Sequence, residues 1–284
     1  MNIDLHCHSN VSDGVLSPAE VVAKAADNGC TLLALTDHDH TGGLAEARSA
    51  AQSSGIHFIN GVEISVSWRA QTIHIVGLNF DEQNSALQKL LAHTRQGRLL
   101  RLRAIADKLA KKGIDNVFDG ALSLTANPEM VGRAHIAQFL LDQGIVRNKE
   151  TAFRRYLGQG KCAYVQHQWA ALADTVHTII AADGIAVIAH PMRYGLSATA
   201  KRHLFTEFKA YGGKAIEVHS GNSDLNDRLN YARLAEQFGF QASAGSDFHR
   251  NDSYSGGKLG VCPELPAHCQ PVWQNWIDTA AMKH

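Results

Sequence analysis

Residues 31–40 read TLLALTDHDH, an apolar run that stops abruptly in charge. Leu32, Leu33, Ala34 and Leu35 follow one another without a polar break, the pattern of a strand buried on both faces, as in a parallel sheet. Before it, SPAEVVAKAADNG (17–29) carries the signals of a helix. Ser17 can cap it, Pro18 suits its first position and Glu20 completes a capping box. Val21, Val22, Ala25 and Ala26 form an apolar stripe, and Gly29 ends it. After the run, the Ala-rich GGLAEARSAAQSSG reads as a second helix, and HFINGVEISVS and TIHIVGLNF as strands. Further on, helices near 172–183, 199–211 and 224–238 alternate with strands in IAVIAHP, KAIEVHS and FQASAGSDFH. Strands alternating with amphipathic helices build βα units around a mainly parallel sheet. Roughly seven such strands predict an α/β fold, a distorted seven-stranded (βα) barrel rather than a short open sheet.

The alternation breaks between residues 85 and 165. SALQKLLAHTRQGRLLRLRAIADKLAKKG reads as one long helix, and GRAHIAQFLLDQG and NKETAFRRYLGQGK as two shorter ones, with no strand between them. We therefore expect a barrel made of residues 1–84 and 166–284, and a helical insert at 85–165 lying over the active site. From Lys89 to Lys112 the long helix carries eight Lys/Arg and a single acid, Asp107. Such a run is ordinarily a solvated face; an insert over the site can instead aim some of it at an anion.

A chain of 284 residues, 45% of them hydrophobic, suits one large α/β domain or a domain with a small insert. Its 27 basic and 27 acidic residues cancel, so no global field draws it to nucleic acid or membrane. Five scattered cysteines (Cys7, Cys30, Cys162, Cys262, Cys269) with no CxxC pair argue for a reducing compartment and against a disulfide framework. A strand-like segment begins at residue 2 and no apolar run reaches membrane-spanning length. A cytoplasmic location is expected, with no membrane and no obligate protein partner. The composition holds one oddity, 16 histidines beside 4 tryptophans and 6 tyrosines.

Their placement gives the histidines a purpose. The chain opens MNIDLHCHSNVSDG, with His6 and His8 two apart and so on one face of an extended strand, while Cys7 points the other way. His6, His8, Asp13, His38, Glu63, His74, His190, Asp247 and His249 each lie at or inside the C-terminal half of an expected strand, or in the loop after it. In a parallel barrel those ends converge on one rim, where active sites of this architecture are found. Six imidazoles and three carboxylates exceed what one four-coordinate ion needs. Three divalent ions would use them fully if some carboxylates bridge.

HCHS…SDG, TDHD, GVEIS with a downstream HIVG, AHP and GSDFH together resemble the polymerase-and-histidinol-phosphatase (PHP) superfamily over residues 4–249. The resemblance implies a distorted seven-stranded barrel holding up to three divalent ions. It implies that His6, His8, Glu63 and Asp247 hold one ion, and that Glu63 bridges to a second completed by His74 and His190. Asp13, His38 and His249 would hold the third. Some relatives, histidinol phosphatases among them, carry histidine where this chain has Asp13. A carboxylate there suits a harder ion, manganese before zinc, iron or magnesium, and moves the reading away from histidinol phosphate.

A charge count points to the substrate. Three divalent ions bring six positive charges; Glu63, Asp13 and Asp247 cancel three and a bridging hydroxide one more. A phosphate monoester dianion would neutralise the remainder. Metal-bound water loses its proton near neutral pH, so in-line attack on phosphorus needs no serine or cysteine nucleophile. Ser9 and Ser65 lack a GxSxG elbow and are expected to be structural. Asp37 and Asp39, flanking His38, can orient ligand imidazoles as acceptors. His40 stays open between that role and the surface. His57, His93, His167, His177, His203, His268 and His284 lack strand-end placement and receive no role.

For the substrate itself, Arg133 and His135 open a helix in GRAHIA, where a phosphate can meet both a guanidinium and a helix N-terminus. Lys161 follows a Gly-rich turn, and EVHSGNSD places His219 and Asn222 on the rim. Arg98 and Arg101 are further candidates on the long helix. His219, on the rim without a ligand role, is the candidate general acid. The insert with its GR-x-H and GKxAYV pattern resembles the 3′,5′-nucleoside bisphosphate phosphatases. The implied reaction removes the 3′-phosphate from a molecule such as adenosine 3′,5′-bisphosphate, leaving the 5′-monophosphate. The same branch is similar to enzymes that trim short RNA from the 5′ end, the alternative substrate. That alternative needs basic and aromatic side chains for successive bases, and 7% aromatics at zero net charge give it little support. Another small monoester such as histidinol phosphate is a further rival, as is amide or lactone hydrolysis, which leaves the basic insert unexplained. A non-catalytic scaffold would show lost ligands, and none is missing.

Overall fold

In the structure, a computed structural model, the described residues are 2–69, 71–125, 127–166, 169–250 and 257–276. Ser17 caps the first helix, α1 (Pro18–Asp27), as its sequence requires. Its Oγ accepts the Glu20 N–H at 3.3 Å, and the Glu20 carboxylate accepts the Ser17 N–H at 2.7 Å. The chain starts with β1 (Ile3–Asp4); α1 leads to β2 (Leu32–Leu35), α2 (Leu44–Ser54), β3 (His57–Trp68) and β4 (Gln71–Leu78). Then come α3 (Ser85–Ala110), α4 (Val117–Leu122), α5 (Arg133–Asp142) and α6 (Lys149–Ala152), the last continuing as a π-helical turn over Phe153–Leu157. The chain ends its regular structure with β5 (Ala170–Ala171), α7 (Leu172–Ala181), β6 (Ile185–Ile188), α8 (Ala198–Ala210), β7 (Ala215–Ser220), α9 (Leu225–Phe238) and β8 (Gln241–Gly245).

Seven strands form the ring in the order β1-β2-β3-β4-β6-β7-β8, and the short β5 pairs with the far end of β3. All four residues of β2 are buried. Leu32 and Ala34 join one apolar cluster, while Leu33 and Leu35 join another with α1 and α2, as strand alternation demands. One strand departs from the parallel pattern: β4 runs antiparallel to both β3 and β6. His74 is therefore not in the C-terminal half of a parallel strand, as the sequence led us to expect. Because β4 is reversed, its N-terminal half lies at the rim where the parallel strands end, and His74 reaches the site from there.

Closing the ring falls to few residues, since β1 is only two residues long. The Leu5 N–H donates to the Ala244 carbonyl at 3.0 Å, and the Asp247 N–H to that of His6 at 2.7 Å. Gly245 is required here, because a Cβ would sit 2.2 Å from the His6 Cβ. Fully buried Asp4 ties the seam, accepting the backbone N–H groups of His6 (3.2 Å), Ser246 (2.8 Å) and Gly260 (2.8 Å).

Among the described residues of 85–165 there is no strand. Leu87 and Leu91 of α3 pack with the barrel core, whereas Leu102, Ile105 and Leu109 belong to a separate cluster with Ile136, Leu140 and Leu157. One helix thus spans from the barrel to a second apolar core. That core is held over the rim by polar ties: Asn127 Nδ2 donates to the Val11 carbonyl at 2.7 Å, and Arg95 to that of Asp39 at 2.9 Å. No helix among the described residues is long and apolar enough to cross a membrane.

Replacing Asp4 by alanine strands three buried N–H donors at the seam. An unsatisfied buried donor costs roughly 1–3 kcal/mol, so Asp4→Ala should lower unfolding stability by about 3 kcal/mol or more. Urea denaturation followed by circular dichroism would check this; an unchanged midpoint would show that the ring closes without it.

Candidate metal centre

The fold brings all nine sequence-predicted donors to one rim. His6 and His8 leave β1 side by side with their Nε2 atoms 3.1 Å apart. Opposite them stand Glu63, from the middle of β3, and Asp247, just past β8. From Glu63 Oε2 to the Nε2 atoms of His6 and His8 the separations are 3.3 and 3.4 Å; from Asp247 Oδ1 they are 3.4 and 3.2 Å. A tetrahedral ion with bonds of about 2.0–2.1 Å to nitrogen and oxygen needs donors about 3.3 Å apart. The four side chains fit such an ion.

The second Glu63 oxygen faces two further imidazoles, His74 Nδ1 and His190 Nε2, each at 2.8 Å. His38 Nδ1 lies 2.9 Å from Glu63 Oε2, yet neither atom makes an aligned hydrogen bond. Both atoms are therefore left free to face a common ion. His8 Nδ1 and His190 Nδ1 are likewise buried without a partner. Toward solvent, His249 Nε2 stands 3.2 Å from Asp13 Oδ1, and His38 Nε2 3.9 Å from Asp13 Oδ2. His38 groups both with His8, Asp13 and His249 and with Glu63 and His74, so it stands between two of the expected sets.

Burial alone would raise the Glu63 carboxyl; His38, His74 and His6 outweigh it and hold Glu63 well below the usual carboxylate range. Burial works the same way on Asp247, which His6 and His8 keep well below its ordinary value. Burial and the neighbouring His249 push His8 down to about 3, leaving it neutral with a lone pair to give. Two of the rim residues adopt left-handed backbone, His190 at φ 30° and Asp247 at φ 49°. Such conformations cost of order 1–3 kcal/mol and gather at functional sites.

Glu217 is a residue that sequence reasoning missed. One of its oxygens meets His6 Nδ1 at 2.5 Å, and the other accepts the His190 N–H at 2.6 Å. It thereby fixes the His6 ring, leaving Nε2 for the cluster, and braces the strained His190 backbone. Its signal was a lone acid inside the apolar strand KAIEVHS. Asp37 and Asp39, expected in that orienting role, touch no ligand imidazole. Asp37 accepts from the Ser9 N–H and hydroxyl (2.7 and 2.6 Å) and from the Ser12 hydroxyl (2.6 Å), ordering the loop that carries Asp13. Asp39, at φ 50°, accepts the Ser65 N–H at 2.8 Å and pairs with Arg98. Ser9 and Ser65 are thus tied to carboxylates. Cys7 is buried in the core, its thiol donating to the Ala34 carbonyl. His40 meets Glu129 at 3.8 Å and no cluster residue, which places it at the outer edge. His167 and His284 lie outside the described residues.

Above the cluster opens a cavity of about 1240 Å³, lined by Asp13, His38, His74, Asp247 and His249 on its floor. Arg98, Arg101, Arg133, His135 and Asn222 also line it, as expected of substrate-binding candidates. Arg98 is already committed, since it pairs with Asp39 and stacks 5.0 Å from the Trp169 ring. Lys161 does not line the cavity. It sits exposed on its turn, and Lys149 at the start of α6 lines the wall instead. His219, the candidate general acid, is also absent from that lining. The β7–β8 pairing shifts register between Glu217 and His219, turning the imidazole into a contact with Ser223 Oγ at 2.9 Å. Burial and Arg228 then push it down to about 4.

A seven-stranded ring, parallel but for β4, with this donor set on its rim fits a metal-dependent phosphoesterase. The chain belongs to the PHP domain family, whose model matches residues 4–187. It is 50% identical over 273 residues to a 3′,5′-nucleoside bisphosphate phosphatase of Chromobacterium violaceum, covering 96% of this chain and 95% of that one. It is 46% identical to a 5′-3′ exoribonuclease of Haemophilus influenzae, covering 96% and 98%. The solved structure of an amidohydrolase from Chromobacterium violaceum, with bound sulfate and no metal, superimposes with a TM-score of 0.87 at 48% identity over 96% of this chain and 95% of that one.

Glu217→Gln should weaken metal binding about 10–100-fold, the usual effect of losing a carboxylate that orients a ligating histidine. Chelator competition would read the affinity, with circular dichroism to confirm the fold. Unchanged affinity would remove Glu217 from the metal centre.

Proposed function

We propose that this phosphatase hydrolyses the 3′-phosphate of nucleoside 3′,5′-bisphosphates, adenosine 3′,5′-bisphosphate among them, to the 5′-monophosphate. The observation that carries this reading is a pair of guanidiniums, Arg101 and Arg133, in the cavity wall contributed by the insert. Burial and the neighbouring Arg133 bring Arg101 down to about 10, still cationic at neutral pH. Neither makes an ion pair with a carboxylate among the described residues. Two half-buried, mutually repelling cations without an acid between them suit a dianion. The donor cluster takes one phosphate, and Arg101, Arg133 and Lys149 take the other.

His6, His8, Glu63 and Asp247 would hold one divalent ion; Glu63 with His74 and His190 a second; Asp13, His38 and His249 a third. The harder donors at Asp13 and Asp247 favour manganese. When bound, such ions polarise phosphoryl oxygens and lower the pKa of water. The chain's own residues position the substrate around them. Arg101 and Arg133 clamp the 5′-phosphate, and the Phe153 ring, 5.8 Å from the Arg133 guanidinium, offers the base a stacking face. Ser9 and Ser65 are engaged elsewhere, so no side-chain nucleophile competes.

A second reading, favoured by the cavity's size, is 5′→3′ hydrolysis of short 5′-phosphorylated RNA. At about 1240 Å³ the cavity exceeds the roughly 300–1,000 Å³ that encloses one small ligand. In either substrate the bond cut is O3′–P of a nucleoside that bears a 5′-phosphate.

Phosphate release in manganese tests the first reading, with adenosine 3′,5′-bisphosphate beside adenosine 5′-monophosphate and histidinol phosphate. The bisphosphate should win by orders of magnitude in kcat/KM. Arg101→Ala or Arg133→Ala should cost about 10–100-fold on it, the worth of one charge-assisted hydrogen bond. Equal turnover of all three would overturn the assignment.

A further inference from the structure

A bisphosphate held by the donor cluster and the insert leaves the opposite side of the cavity without a partner. The insert is tied to the β1–β3 side of the rim, through Asn127 to Val11 and through Arg95 and Arg98 to Asp39. In the ring order β1-β2-β3-β4-β6-β7-β8, β7 stands across the barrel from β2 and β3. On that side Ser220, Asn222, Ser223 and Asp227 line the cavity. Ser220, only 1% exposed, leaves its Oγ without a hydrogen-bond partner. Asp227, in the first turn of α9, makes no ion pair among the described residues. Burial and the nearby Arg228 keep the neighbouring His219 neutral, and Arg193, which also lines the cavity, is paired with Asp247.

Ser220, Asn222, Ser223 and Asp227 present hydroxyl, amide and carboxylate groups to the cavity where the insert presents guanidiniums. Hydroxyl, amide and carboxylate groups accept from neutral donors such as sugar hydroxyls and base N–H groups, and a carboxylate repels phosphate. A buried hydroxyl without a partner costs free energy unless something completes it.

We propose that the lobe formed by the end of β7 and the start of α9 binds the second nucleoside of a 5′-phosphorylated RNA, beyond the scissile phosphate. The inference rests on the RNA reading above. The first nucleoside, with its 5′-phosphate on Arg101 and Arg133, and the second, against Ser220 and Asp227, then flank the donor cluster. Water adds across the O3′–P bond, its hydroxyl to phosphorus and its proton to O3′. The first nucleoside leaves as a 5′-monophosphate. The phosphate stays on O5′ of the second, which now presents the 5′-phosphorylated end that the insert binds, so the chain is shortened stepwise.

The test compares kcat and KM for adenosine 3′,5′-bisphosphate and for a 5′-phosphorylated diadenosine dinucleotide, in wild type, Ser220→Ala and Asp227→Asn. Each substitution should lower kcat/KM for the dinucleotide about tenfold relative to the bisphosphate, mainly through KM. Bisphosphate turnover serves as the control for folding. Equal losses on both substrates, or no loss on the dinucleotide, would overturn the subsite. A wild type that cleaves the bisphosphate and not the dinucleotide would overturn it while leaving the bisphosphate reading intact. Turnover of neither substrate would sink both.

Discussion

Glu63 has no solvent exposure and meets five imidazoles, those of His6, His8, His38, His74 and His190, at 2.8–3.4 Å. A buried carboxylate is tolerated only where positive charge or hydrogen bonds replace its water. Here the surrounding rings satisfy it incompletely, since Oε2 makes no aligned hydrogen bond. The architecture follows from reaching that one carboxylate. β3 extends over twelve residues and carries Glu63 at its middle. β4 runs back antiparallel to bring His74 against it, β6 delivers His190, and the ring closes so that β1 and the segment after β8 supply the rest.

The closure and the site depend on the same atoms. Gly245 lets β8 press against His6, while Asp4 binds the His6 and Ser246 amides that flank the donors. Glu217 then fixes His6 from behind. A seam held by so few contacts would be a weak point in an ordinary barrel; here its geometry also sets the spacing of His6, His8 and Asp247. The insert is coupled into this arrangement as well. Arg98 bridges Asp39 and Ser65, residues adjacent to His38 and near Glu63, and its guanidinium rests on Trp169. Movement of the basic wall would therefore be felt one residue from a candidate ligand.

Much of this is legible in the amino-acid string because it rests on local rules. Apolar runs ending in His or Asp mark buried strands that surface at a rim, and Ser17, Pro18 and Glu20 announce α1 in detail. What escaped depends on non-local geometry. Nothing in TIHIVGL tells that β4 is reversed. In EVHS, strand alternation puts Glu217 and His219 on one face, and the register shift between them sends only Glu217 to the cluster. Arg98 and Lys161 read alike as cations for an anion, yet one is claimed by a buried aspartate 59 residues away and the other faces solvent. Family resemblance carried the grouping of donors into sets. The tetrahedral spacing among His6, His8, Glu63 and Asp247 emerges only in three dimensions.

The measurement that bears most directly on the role of Glu63 is anomalous diffraction at the manganese edge from crystals grown with the metal. A peak should lie among His6, His8, Glu63 and Asp247, with further density where Glu63 faces His74 and His190, and between Asp13, His38 and His249. Glu63→Gln crystals should lose the first of these. Manganese bound away from Glu63, or an unchanged first peak in the Glu63→Gln protein, would contradict a centre built around that carboxylate.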